Sequence, residues 1–126
     1  MKESKNQIHK DKNLTVITVS GPLSKQRVEN IIKDFYQSGS TLNVLWDVTE
    51  ADLSSLHEND LRQIICIAKE HMHLREGGRT AIVVTSDLNY GISRMFEILS
   101  ELDGLKISHL ICKSINEAMD WFELIK

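Results

Sequence analysis

The strongest constraint on the fold is an alternation along the chain. Short apolar runs that read as strands are separated by longer segments whose apolar residues recur at helical spacing. Leu14 to Val19 sets Leu14, Val16, Ile17 and Val19 among threonines, a strand composition closed by Ser20-Gly21-Pro22. From Ser24 to Ser38, Val28, Ile31, Ile32 and Phe35 repeat with a helical period, with Ser24 as N-cap and Gly39 just past the end. Leu42 to Val48 is apolar on both faces, as a central parallel strand should be. A second helix is expected from Glu58 to Leu74, striped by Leu61, Ile64, Ile65, Ala68 and Met72 and stopped by Gly77-Gly78.

Arg79 to Thr85 reads as a third buried strand. Leu88, Ile92, Met95, Phe96 and Leu99 form the buried stripe expected of a third helix, closed by Gly104, with Asp87 as its cap. Leu105 to Cys112 alternates more plainly and suits a sheet edge. Ser114-Ile115-Asn116-Glu117 has the form of a capping box, opening a last helix that buries Ile115, Ala118, Met119, Phe122 and Ile125. At the start, residues 1–7 are polar and read as a ragged terminus. Ile8-His9 begins a short strand turned back by Asp11-Lys12-Asn13, so residues 8–126 are expected to form a single domain.

The order is therefore β, β, α, β, α, β, α, β, α. Strands joined through a helix pair in parallel with a right-handed crossover, whereas the opening hairpin leaves one antiparallel edge strand. The expected fold class is α/β, a mostly parallel β-sheet with flanking α-helices and an N-terminal antiparallel edge hairpin.

Composition narrows the function classes. A chain of 126 residues with 41% hydrophobic and 26% charged residues can bury one core. A net charge of −3 provides no basic footprint, and the Lys and Arg residues are scattered without interleaved aromatics, so neither nucleic acid nor membrane is an expected partner. Met1 to Lys12 has no apolar core of a secretory signal, and Cys66 and Cys112 sit in apolar runs, read as buried thiols in a reducing, cytoplasmic setting.

The chemistry of enzymes is not written here. The chain has no Gly-x-Ser-x-Gly elbow, no phosphate-binding Walker loop and no dinucleotide fingerprint, and no catalytic residue or cofactor is expected. Asp47, Asp52 and Asp87 fall at expected strand ends, but caps and turns account for them. His71 and His73, two positions apart, point about 200° apart on a helix. His57 precedes that helix, His9 and His109 lie in expected strands, and the five histidines read as surface or rim residues with no metal site.

What remains is a place. The apolar run of Leu42 to Val48 ends in a polar loop, Asp52-Leu53-Ser54-Ser55-Leu56, and open α/β sheets hold partners and ligands beyond the carboxyl ends of their strands. Ser55 with Glu58 fits a capping box, and a serine at a helix N-terminus is also placed to carry a phosphate, because the backbone N–H groups there favour anions. Leu53 and Leu56 are apolar residues of that loop that would anchor a partner. A second place is Tyr90, Gly91, Met95 and Phe96, where a helix-interior glycine costs about 1 kcal/mol relative to alanine and invites a close approach by backbone or ligand.

With these elements placed, the chain from Ile8 to Leu124 resembles the STAS family of small α/β domains, the SpoIIAA-like group of anti-sigma-factor antagonists, and within it the stand-alone bacterial branch grouped as STAS/SEC14-like. The segments that carry the resemblance are LTVITVSGPLS (14–24), VLWDV (44–48), DLSSL (52–56), GGRTAIVV (77–84), YGISRMFE (90–97) and EAMDWF (117–122). The resemblance implies a non-catalytic, regulatory protein-interaction module with a protein partner, with a homodimer left open. In that family a kinase phosphorylates a serine of an Asp-Ser pair to break partner binding. Here Asp52 and Ser54 are separated by Leu53, and Leu56 stands where a glycine usually follows. The related CRAL-TRIO domains imply the alternative, a small apolar or amphipathic, lipid-like ligand held between sheet and helices.

Overall fold

The structure, a computed structural model, describes residues 3–123, of which Glu3 is described through its backbone only. The expected burial of Ile125 and the first two residues of the segment 1–7 lie outside the described residues. The elements are β1 (Glu3–His9), β2 (Leu14–Pro22), α1 (Lys25–Gln37), β3 (Asn43–Asp52), α2 (Glu58–Glu70), β4 (Arg79–Val83), α3 (Asp87–Leu102), β5 (Ser108–Cys112) and α4 (Ile115–Glu123). Over these residues the strands form one sheet in the order β1-β2-β3-β4-β5, with β1 antiparallel to β2 and every other pair parallel. This is the expected α/β class.

The sequential order has a geometric consequence. Each right-handed crossover steps to the next strand in the same direction, so α1, α2 and α3 must all lie on one face of the sheet. They do: α1 packs on α2 and α2 on α3, while α4 alone covers β3, β4 and β5 from behind. The strand residues sort by parity between two cores. Ile17, Val19, Val44, Val48, Ile82 and Val84 face the three-helix layer, whereas Leu14, Leu45, Ala81, Val83 and Cys112 meet Ala118 and Phe122 of α4.

Several boundaries differ from the sequence reading. Strand β1 begins at Glu3, pairing Glu3 to Ser20 through His9 to Leu14, so the segment expected to be ragged contributes a strand. Its side chains are mostly exposed, and an edge strand that buries so little leaves no apolar signal. Strand β3 runs on to Asp52, and Asp47 is no strand end. The β2–β3 register shifts between Thr18 and Ser20, a bulge where Asp47 Oδ1 accepts from the Thr49 N–H at 3.1 Å and the Thr49 hydroxyl at 2.8 Å.

Helix α2 ends at Glu70, and a short 3₁₀ turn, Met72–Leu74, carries the chain onward. Its N-cap is His57, whose N–H donates to Asp60 Oδ2 at 2.9 Å, so Ser55 does not cap it. Helix α3 is capped by Ser86, which accepts from the Asn89 N–H, rather than by Asp87. Ser24 and Ser114 cap α1 and α4 as expected, accepting from the Arg27 and Glu117 N–H groups. Both cysteines are free, Cys112 buried and Cys66 exposed, because α2 turns Leu61, Ile64 and Ile65 inward and Cys66 outward. Ile115 is likewise exposed at the first turn of α4.

Candidate functional site

The loop after β3 is built as a turn. The Leu56 N–H donates to the Leu53 carbonyl at 2.9 Å, closing a four-residue β-turn over Leu53-Ser54-Ser55-Leu56. Its two ends point into the core, Leu53 at 5% exposure and Leu56 at 7%, and its two central serines face solvent. That corrects one expectation, since Leu53 and Leu56 are core residues and cannot anchor a partner. Buried leucines contribute about 1.5–3 kcal/mol each, and here that fixes how the serines are presented.

The turn is tied down on both flanks. On one side the Leu23 N–H donates to the Asp52 carbonyl at 2.9 Å, and the Ser55 hydroxyl lies 3.4 Å from the Leu23 carbonyl. On the other, the Asn89 side chain of α3 accepts from the Leu53 N–H at 3.2 Å and donates to the Ala51 carbonyl at 3.0 Å. Asp52 Oδ1 accepts from the Ser54 N–H at 2.9 Å. The hydroxyl of Ser54, then its N–H, holds the exposed Asp52 carboxyl below its ordinary value.

Helix α3 is turned differently from the expected stripe. Asn89, Ser93, Leu99 and Ser100 are its buried residues, while Leu88, Met95, Ile98 and Leu102 are 57%, 38%, 48% and 78% exposed. At 100° per residue the last four fall within one sector of the helix, with Gly91 among them. A Cβ on Gly91 would have nothing within 4 Å, so no close approach explains it. Of the four residues expected to form a ligand site, Phe96 alone turns inward, its ring edge-on to His109 at 5.5 Å. Tyr90 and Met95 are exposed, Tyr90 beneath the Lys113 ammonium at 5.8 Å.

Between the three-helix layer and the sheet lies a cavity of about 120 Å³. Its wall is mainly apolar, drawn from Ile32, Val44, Trp46, Ile82, Ile92 and Phe96 among others. Five polar side chains also line it: Tyr36, Arg75, Thr80, Ser93 and His109. Arg75 is 6% exposed. Its Nε donates to the Leu42 carbonyl at 2.9 Å and its Nη2 to the Arg79 carbonyl at 2.9 Å and Thr80 Oγ1 at 2.8 Å. Among the described residues no carboxylate pairs with this guanidinium. Burial lowers its pKa, opposed by the Tyr36 hydroxyl, whose ring is held by stacking on His71 at 4.4 Å.

His109, expected at the surface, is half-buried, and burial followed by the Arg75 charge lowers its pKa to about 4. The imidazole is therefore neutral near pH 7. Ser93 is 3% exposed, and its hydroxyl has no hydrogen-bond partner among the described residues. Ser100, two turns on along the same side of α3, instead donates to the Phe96 carbonyl at 2.8 Å. Burial and then Glu117 push the Cys112 thiol up, away from nucleophilic character. Among the described residues there is no cluster of three His, Cys, Asp or Glu side chains able to hold a metal, and no helix long and apolar enough to cross a membrane.

Asn89, Ser93, Arg75, Tyr36 and His109 were not singled out as site residues by the sequence. A signal existed for two of them. Asn89 and Ser93 recur at helical spacing with Ile92, Phe96 and Leu99, so polar residues lie within the periodic face that faces the sheet.

No protein-family model and no curated protein sequence matches the chain. Solved structures do. An uncharacterised protein of the DUF3478 family with a SpoIIAA-like fold, from Shewanella loihica, superposes with a TM-score of 0.63 at 15% identity, covering 96% of this chain and 93% of that one. The unphosphorylated anti-sigma factor antagonist SpoIIAA gives 0.58 at 14% identity, over 98% of this chain and 100% of that one. An anti-sigma factor antagonist from Mycobacterium paratuberculosis gives 0.57 at 15% identity, over 98% and 95%. The chain has the SpoIIAA-like fold.

Proposed function

We propose that this chain is a non-catalytic regulatory module that binds a protein partner through the Leu53–Leu56 turn and the adjoining outer side of α3. The observation that carries the reading is the apolar stripe of Leu88, Met95, Ile98 and Leu102, exposed on a helix whose first turn is hydrogen-bonded to the serine-bearing turn. Contiguous exposed apolar surface of this kind marks interaction sites. Two of the similar structures are anti-sigma factor antagonists, and one of those is described in its unphosphorylated form. By analogy, Ser54 and Ser55, the exposed hydroxyls of the turn, are the positions at which a phosphate would act. Glu50, Asp52 and Glu58 are exposed nearby and Asp60 is half-exposed, so the added charge would be repelled and docking disfavoured. A cytoplasmic setting is part of this reading.

Affinity purification from the native host tests this, comparing the natural chain with Ser54→Asp, Ser55→Asp and Met95→Lys, and with Lys5→Glu on β1 as a distant control. Loss of the same partner from the first three alone is expected. Retention of that partner by all of them refutes the docking surface. Light scattering over a concentration series decides between a different protein and a second copy. A mass rising toward two chains assigns the stripe to a homodimer, and a constant mass assigns it to another protein.

The alternative of a small apolar or amphipathic ligand is supported by a different place from the one expected. The cavity beside Phe96 favours it, and the exposed side of α3 where Tyr90 and Met95 lie does not.

A further inference from the structure

We infer that the cavity beneath α3 binds a short amphipathic monocarboxylate, with its apolar tail against Ile82, Ile92 and Phe96 and its carboxylate toward Arg75. This rests on reading the cavity as a ligand site and is independent of the docking surface on the other side of α3.

Two observations of separate kind mark the cavity as a site. The first is the Ser93 hydroxyl, buried in its wall with no partner among the described residues. Such a group costs about 1–3 kcal/mol unless something in the cavity bonds to it. Ser100 on the same helix satisfies itself on a backbone carbonyl, so an inward serine on α3 has an internal solution that Ser93 does not use. The second is Arg75. A buried guanidinium held only by carbonyl, hydroxyl and phenol oxygens carries a charge that no neighbouring carboxylate offsets.

The lining then selects the class. It includes no Asp or Glu, so a cation would meet only the like charge of Arg75. It holds a single charged side chain, and His109 beside it is neutral, so a phosphate of nearly two charges would be under-compensated. A carboxylate matches the single guanidinium in charge. The volume of about 120 Å³ is close to that of an engineered apolar cavity that accepts benzene, which is room for a tail of about five carbons. Along β3 the lining runs from Val44 to Val48, a span of roughly 13 Å at strand rise, so the ligand is elongated rather than compact.

The probes are hexanoate, 1-hexanol and hexylamine, titrated at pH 7 into the full chain while the methyl resonances of Val44, Ile82 and Ile92 are followed. Saturable shifts with hexanoate are expected, with affinity about tenfold tighter than 1-hexanol, and none with hexylamine. Ser93→Leu, which fills the cavity, should abolish the shifts, and Ala68→Leu on the α2 wall serves if that variant does not fold. Equal binding of hexanoate and 1-hexanol would leave a ligand cavity but overturn the carboxylate assignment. No saturable shift with any probe would overturn the ligand site itself.

Discussion

Asn89 holds Leu53 by its backbone: the carboxamide oxygen on α3 accepts the Leu53 N–H at 3.2 Å, across a sequence separation of 36 residues. The same side chain donates to the Ala51 carbonyl at 3.0 Å, so one residue on the first turn of α3 satisfies both edges of the strand end that leads into the serine turn. Two exposed serines are thereby carried on a turn whose two ends, Leu53 and Leu56, are buried.

Removing that clamp leaves a backbone N–H and a carbonyl without partners where water has little access. Asn89→Ala should destabilise the chain by about 2–3 kcal/mol, read as a lower midpoint in urea unfolding. Amide exchange at Leu53 and Leu56 should quicken more than exchange at β4. Unchanged stability and unchanged exchange at Leu53 would show that the clamp does not hold the turn.

Gly78 and Gly91 should respond in opposite senses to alanine. A Cβ on Gly78 would collide with the Leu42 carbonyl and lie 2.9 Å from the Arg75 carbonyl, both backbone groups with no freedom to move aside. Arg75 Nε binds that same Leu42 oxygen, so the collision would also disturb the guanidinium. Gly78→Ala should cost about 3 kcal/mol or more. Gly91→Ala meets open space in a helix interior and should add about 0.5–1 kcal/mol of stability. Thermal unfolding of the two variants beside the natural chain checks the pair.

Ser93→Ala should stabilise the ligand-free chain by about 1 kcal/mol. It removes a buried hydroxyl without a protein partner and substitutes a better helix former. Ser100→Ala should do the reverse or nothing, since that hydroxyl is already bonded to the Phe96 carbonyl. A loss of stability on Ser93→Ala as large as a core truncation would mean the hydroxyl is satisfied in solution.

His109 makes stability depend on pH in a defined window. Its folded pKa of about 4 lies below the ordinary 6.5, so between these values the unfolded chain binds the proton and the folded chain does not. Stability is therefore full above pH 6.5 and falls as pH drops toward 4, by on the order of 2–3 kcal/mol for this residue. Urea unfolding at pH 7.5 and pH 5 should show the drop, and His109→Gln should remove its share. Equal slopes with pH in the natural chain and the variant would exclude His109 as the source.

The topology was legible because strands buried on both faces and helices with one apolar side leave different periods, and Ser24 and Ser114 announce their caps within a few residues. What escaped depends on partners far along the chain. Strand β1 buries too little to mark itself. Helix α3 offers Leu88 and Met95 as plausible inner residues, and its actual rotation follows Asn89, whose hydrogen-bond partners belong to the loop after β3. Leu53 and Leu56 were visible as apolar loop residues, but only the turn between them decides that they face inward. Arg75 has a residue type that defaults to the surface, and nothing local shows that the turn at Gly78 folds it against the Leu42 carbonyl and the start of β4.

Because the strands lie in the sheet in the same order as in the chain, each one docks on an edge that already exists when it is synthesised. No strand must be inserted between two earlier ones, and no gap has to be held open for a later arrival. During translation the growing sheet can therefore add one strand and one covering helix at a time, with β1 at one edge and the newest strand at the other. Helix α4 follows β5 and closes the rear face over β3, β4 and β5, so the second core is completed only once α4 itself has been made.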